Sequence, residues 1–138
     1  MKKLLTLFAI MTSLSGCAIF NPNCDSAKVE DTVYFDFDSS VLKPEAVATI
    51  EAQAKDIKND DNLVVVSGYC DERGTREYNL GLGERRANAV SDYLQTLGVD
   101  GNRIETVSYG KDNPVDDGHN EEAWAKNRRA TINFADFE

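Results

Sequence analysis

A chain of 138 residues has the length of one small domain. Its formal charge of -9 excludes a general nucleic-acid binder, because no long basic face offsets the acidic total. With 41% apolar and 28% charged residues, the composition is that of an ordinary globular protein.

The first segment reads as a targeting sequence rather than as part of the fold. Met1-Lys2-Lys3 is a short positive region, and residues 4–14 are mostly apolar. That run is too short for a permanent transmembrane helix and has the layout of a secretory signal. Leu14-Ser15-Gly16-Cys17 follows and resembles the lipobox of bacterial lipoproteins. The resemblance implies that residues 1–16 are a signal peptide cleaved before Cys17, which then carries the lipid. Several acyl chains hold a protein to a membrane where one would not. Ala18, not aspartate, follows the cysteine. By resemblance to enterobacterial sorting, this favours the outer membrane, with the domain in the periplasm. Export permits disulfides, and Cys24 and Cys70 are the cysteines besides Cys17. A Cys24–Cys70 bridge and two free thiols are both open readings. Residues 17–31 read as the lipidated N-terminus and tether, of which residues 18–31 lack a sustained period and reach at most about 50 Å at full stretch.

The elements then follow in order. Val33-Tyr34-Phe35-Asp36-Phe37-Asp38 alternates as a strand, with Val33, Phe35 and Phe37 on one face. Pro44 opens a helix, Glu45 suits its positive end, and Val47, Ile50, Ala54 and Ile57 form its apolar stripe. Residues 59–62 end it. Leu63-Val64-Val65-Val66 reads as a central strand, followed by Ser67, Gly68 and Tyr69. A second helix is expected from near Glu77 to near Leu97, with Gly98 closing it. Leu82, Ala89, Val90, Tyr93, Leu94 and Leu97 supply its buried side; Gly81 and Gly83 read either as room for close backbone contact with the end of the first strand or with a ligand, or as an irregular first helical turn. Residues 103–109 form a third strand, residues 120–126 a short helix carrying Trp124, and residues 129–134 a last strand, edge or central. The sum is a two-layer α/β sandwich, a small mixed sheet with helices on one face, in the order β-α-β-α-β-(short helix)-β over residues 32–135.

The chemistry gathers where the second strand turns into the second helix. Asp71 lies just past the strand. Asn79, Leu82 and Arg86 share one helical face. An ionised aspartate only accepts hydrogen bonds, and arginine offers a fixed fork of donors. Two readings are open: an Asp71–Arg86 ion pair tying strand to helix, or two halves of a receptor for a ligand bearing an ammonium and a carboxylate. Arg85-Arg86 and Arg128-Arg129 are arginine doublets in an acidic chain, and the second is expected to share the rim with the first. Little points to catalysis. His119 is the only histidine and sits in a Gly/Asn-rich loop. There is no serine elbow, no metal-binding histidine cluster and no phosphate loop. No enzyme, cofactor or metal is implied.

Residues 33–38, Asp71-Glu72-Arg73-Gly74-Thr75, Glu77-Tyr78-Asn79, residues 82–90, Val107-Ser108-Tyr109-Gly110 and residues 123–130 together resemble the peptidoglycan-associated lipoproteins of the Tol–Pal system. That family is built on the OmpA C-terminal-like domain, and the resemblance covers about residues 31–135. It implies non-covalent peptidoglycan binding through the meso-diaminopimelate of the stem peptide. Asp71 would receive the ammonium and Arg86 a carboxylate, with Asp38, Ser39, Asn79 and Leu82 lining the pocket. Phe37, Tyr69, Arg73, Thr75 and Arg129 would form its rim. Tyr69 stands where many relatives carry histidine, so no titration near neutrality transfers. Cys70 stands where several carry alanine or threonine. The resemblance also implies TolB as a partner on an overlapping surface, with TolA regulating the linkage and roles in envelope integrity and cell division. The runner-up is an OmpA-like envelope tether with a different main protein partner.

Overall fold

The computed structural model describes residues 31–135. The elements are β1 (Thr32–Tyr34), α1 (Pro44–Lys58), β2 (Val64–Tyr69), α2 (Arg76–Thr96), a 3-10 turn (Gly101–Arg103), β3 (Ile104–Gly110), α3 (Glu121–Asn127) and β4 (Arg129–Phe134). The sheet order is β1-β4-β2-β3. β2 and β3 run parallel, as a crossover through α2 requires, and β4 is antiparallel to both β1 and β2. The helices cover one face, giving the expected two-layer mixed sandwich. The last strand is therefore central. Ala130 and Ile132 are buried in the core beside Val64 and Val66 of β2.

Two sequence expectations need correction. β1 is three residues long, because the chain leaves the sheet after Phe35, whose N–H still donates to the Arg128 carbonyl at 2.9 Å. Asp38 then takes a left-handed φ of 51°, an uncommon conformation for a non-glycine residue. Phe37 thus does not share the core with Val33 and Phe35 and is 60% exposed. In the helices, Ala46 rather than Val47, and Ala87 rather than Ala89, meet the core. Both corrections shift the buried stripe by one or two residues, within the width of a helical apolar face.

α1 begins with Pro44 at its first turn, where a missing N–H costs nothing. Ile50 and Ile57 bury completely against the sheet, as do Val90 and Leu94 of α2. Each such side chain contributes about 1.5–3 kcal/mol relative to exposure. α2 ends at Thr96 with Leu97 as its cap residue, and Gly98 follows with φ 99°, the left-handed position expected of it.

The placement of α2 on β2 depends on two glycines. A Cβ on Gly68 would run into the carbonyl of Gly83, and one on Gly83 would meet Ser108 Oγ and the Gly68 backbone. Helix and strand therefore touch backbone to backbone at the end of β2. Gly83 thus approaches β2 closely, not the end of the first strand as expected, whereas Gly81 faces only the end of the Arg85 side chain. Ser108 Oγ donates to the Leu80 carbonyl at 2.6 Å and ties β3 to the same helical turn. Arg86 lies three residues beyond Gly83, on the same helical face, and so reaches beneath the end of β2.

Candidate functional site

β2 ends at Tyr69, and Cys70 N–H donates to the Gly110 carbonyl at 2.8 Å. The chain then makes a tight turn. Asp71 Oδ1 accepts the Arg73 backbone N–H at 3.0 Å, Gly74 adopts φ 94°, and the Thr75 hydroxyl accepts the Tyr78 N–H at 3.2 Å as the cap of α2. The Asn79 amide donates to the Arg73 and Thr75 carbonyls, both at 2.9 Å. The turn is thereby fastened to the first turn of its own helix.

A cavity of about 190 Å³ opens between this turn and residues 36–39 after β1, lined by Phe37, Asp38, Cys70, Asp71, Arg73, Gly74, Tyr78, Asn79, Leu82 and Arg86. Asp71 and Arg86 both face it. They do not pair with each other. The Asp71 carboxylate pairs with Arg73 at 2.9 Å and lies 3.7 Å from Arg128. Arg86 is 1% exposed and donates to three backbone carbonyls: Nε to Ser39 at 2.9 Å, Nη1 to Tyr69 at 2.8 Å and Nη2 to Asp36 at 3.1 Å. The ion-pair reading of the sequence is thus replaced by a cation seated on backbone oxygens. Two of the five guanidinium N–H groups are left uncommitted to the backbone.

Burial sets the electrostatics. It lowers the Arg86 guanidinium from its ordinary value, and it raises the Cys70 thiol against the opposing pull of Arg86. Burial also works to raise Asp71. Hydrogen bonds from Arg73 and the charges of Arg73 and Arg128 outweigh it and hold that carboxyl below the usual carboxylate value. The cavity therefore presents an ionised acid near a fixed, desolvated cation.

At the mouth, the Arg73 guanidinium lies 4.1 Å from the Phe37 ring centroid and 4.1 Å from that of Trp124. Trp124 Nε1 donates to Glu72 at 3.0 Å, and His119 Nδ1 lies 2.7 Å from the same carboxylate. Arg128 donates to the Phe35 carbonyl at 3.0 Å and to Glu121 at 2.7 Å. Among the described residues, no cluster of three or more His, Cys, Asp or Glu side chains could hold a metal ion.

The OmpA family profile matches residues 34–128. The crystal structure of the peptidoglycan-associated lipoprotein from Burkholderia pseudomallei superposes with a TM-score of 0.75 at 42% identity, covering 84% of this chain and 98% of that one. The chain belongs to the OmpA family, with the peptidoglycan-associated lipoproteins. The peptidoglycan-associated lipoprotein of Pseudomonas aeruginosa is 54% identical over 101 residues, which are 73% of this chain and 60% of that protein. The chain thus spans about 60% of the length of this curated relative. The C-terminal domain of Helicobacter pylori MotB is also similar, with a TM-score of 0.72 at 28% identity over 79% of this chain and 88% of that one.

In this OmpA-family domain the expected site residues divide into groups. Asp38, Asp71, Asn79, Leu82 and Arg86 line one cavity, together with Phe37 and Arg73 from the expected rim. Ser39 contributes its carbonyl to Arg86, and its hydroxyl accepts the Val41 N–H at 3.1 Å. Thr75 serves as a helix cap. Tyr69 holds Arg86 through its carbonyl, while its ring stacks on Tyr109 at 5.2 Å. Arg129 lies 3.8 Å over the Tyr69 ring and donates to the Asn113 and Asn127 carbonyls, so Arg128, not Arg129, is the arginine beside Asp71. Cys70 is a free, buried thiol whose Sγ donates to the Asn79 carbonyl at 3.3 Å. Cys17 and Cys24 lie outside the described residues. Tyr78 was missed among the lining residues, and its hydroxyl donates to Asp38. Its signal was present: Tyr78, Leu82 and Arg86 recur every four residues along α2.

Proposed function

We propose that this domain binds peptidoglycan without catalysis, through the zwitterionic end of meso-diaminopimelate in the stem peptide. The observation that carries this reading is one small cavity faced by both the Asp71 carboxylate and the Arg86 guanidinium. An ammonium suits the first and a carboxylate the second. A cavity of about 190 Å³ suits the end of one amino acid better than a disaccharide. The names of the relatives support the same ligand class. Residues 1–16 act as the signal peptide, Cys17 bears the lipid, and residues 17–31 link an outer-membrane anchor to a periplasmic domain. The domain then tethers that membrane to the wall as part of the Tol–Pal system, in envelope integrity and cell division. TolB competes with peptidoglycan for the cavity's rim, and TolA acts on that balance.

Two calorimetric comparisons test the pocket. Asp71→Asn keeps the shape and removes the charge, and is expected to weaken a diaminopimelate stem peptide at least about tenfold. A lysine stem peptide lacks the second carboxylate and tests the Arg86 half without touching Arg86. Equal affinity for the two peptides, together with unchanged binding by Asp71→Asn, would remove the cavity as the site. Capture of purified TolB in competition with the stem peptide tests the shared rim.

A further inference from the structure

Asp71 already holds a cation. Arg73 Nε donates to its Oδ1 at 3.2 Å and Nη2 to its Oδ2 at 2.9 Å. The Arg73 backbone N–H adds a third bond to Oδ1 at 3.0 Å. A carboxylate has about four acceptor positions, so an incoming ammonium meets an anion whose positions are mostly filled. The guanidinium that fills them is held on its faces by Phe37 and Trp124, each 4.1 Å away. The clamp sits at the mouth: the Arg73 side chain is 32% exposed and that of Asp71 only 5%. An arginine seated on rings and one carboxylate, with no backbone acceptor among the described residues, can leave by side-chain rotation alone.

We propose that Arg73 is a displaceable stand-in for the ligand's ammonium, occupying Asp71 until a cationic ligand group exchanges with it. For the natural ligand this rests on the reading of the cavity as a zwitterion receptor. Exchange of cation for cation never leaves the buried carboxylate bare, which would be costly. A neutral amide offers no charge to replace the guanidinium, so the exchange selects for free amines. Affinity is reduced by the fraction of molecules in which Arg73 is docked. Trp124 reports the event directly, being the only tryptophan of the chain and one face of the clamp.

The test uses n-butylammonium as a plain cationic probe and butyramide as its neutral counterpart, on the whole chain. The Arg73 Nε–H resonance and Trp124 fluorescence are followed. Butylammonium is expected to move both signals saturably, and butyramide neither. Arg73→Gln should bind butylammonium about tenfold more tightly than the parent. Arg73→Lys, which retains a charge but not the fork, should fall between. Weaker butylammonium binding by a folded Arg73→Gln variant, or unmoved Arg73 and Trp124 signals at the highest butylammonium concentration, overturns the proposal. The stem peptide, run alongside, separates the two ideas. If it fails to bind while butylammonium still displaces Arg73, the wall-peptide reading falls and the exchange stands. If it binds with Arg73 still on Asp71, the exchange falls and the wall-peptide reading stands.

Discussion

Within the cavity, Asp71 is held by arginine side chains and one backbone N–H, and Arg86 is held by backbone carbonyls. The charged partners of Asp71 are Arg73 and Arg128, arginines with further contacts of their own in Phe37, Trp124, Glu121 and the Phe35 carbonyl. The partners of Arg86 are carbonyls of residues 36, 39 and 69, which cannot move without moving the β1–α1 connection or the end of β2. The acidic wall is therefore adjustable and the basic wall is part of the frame. A receptor for a zwitterion can use both properties: a fixed fork sets the orientation of a carboxylate, and an exchangeable acid admits the amine.

Removing the frame should give the largest effect. Arg86→Met takes a charged donor from three carbonyls and is expected to cost about 3–5 kcal/mol in urea unfolding. A cost below about 1 kcal/mol would mean that the basic wall is as adjustable as the acidic one. Gly83→Ala attacks the same wall from behind by pushing α2 off β2, and about 2–3 kcal/mol is expected. Asp71→Asn should cost less, about 1–2 kcal/mol, because its arginines retain their other contacts. That variant also fixes the sign of a pH effect. The folded Asp71 carboxyl lies below its ordinary value, so its contribution is full above the unfolded value and lost as pH falls through the folded one. Acid titration of unfolding should therefore show a shallower acid limb in Asp71→Asn than in the parent. The smallest expected effect concerns Cys70. Burial raises its thiol, so a thiol reagent at neutral pH should label it slowly in the native protein and readily in urea. Fast native labelling would show that the floor of the cavity opens.

The helices were legible because Ile50, Ile57, Val90 and Leu94 repeat with the helical period, and that period survives whatever packs against it. The same reasoning failed at Phe37. Two-residue alternation continues in the sequence past the point where the left-handed Asp38 turns the chain away. Asp71, Asn79, Leu82 and Arg86 were found from spacing, yet their bonds were not. A carbonyl acceptor belongs to every residue, so nothing in the letters shows that Asp36, Ser39 and Tyr69 converge on Arg86. Arg128 and Arg129 differ by one position, and choosing between them required the direction in which the last strand begins.

The central place of that last strand has a consequence for how the chain comes together. β4 is the only described partner of β1 and also pairs with β2, so the first strand has nothing to join until residues 129–134 are present. A polypeptide emerging N-terminus first from a ribosome or a membrane pore can form helical turns along the way, but it cannot finish its sheet before residues 129–134 appear. Contacts of such long sequence separation slow folding, because loop closure must precede their formation. The architecture delays the native state until β4 has emerged, so loss of a few C-terminal residues of β4 would disable the whole domain rather than trim it.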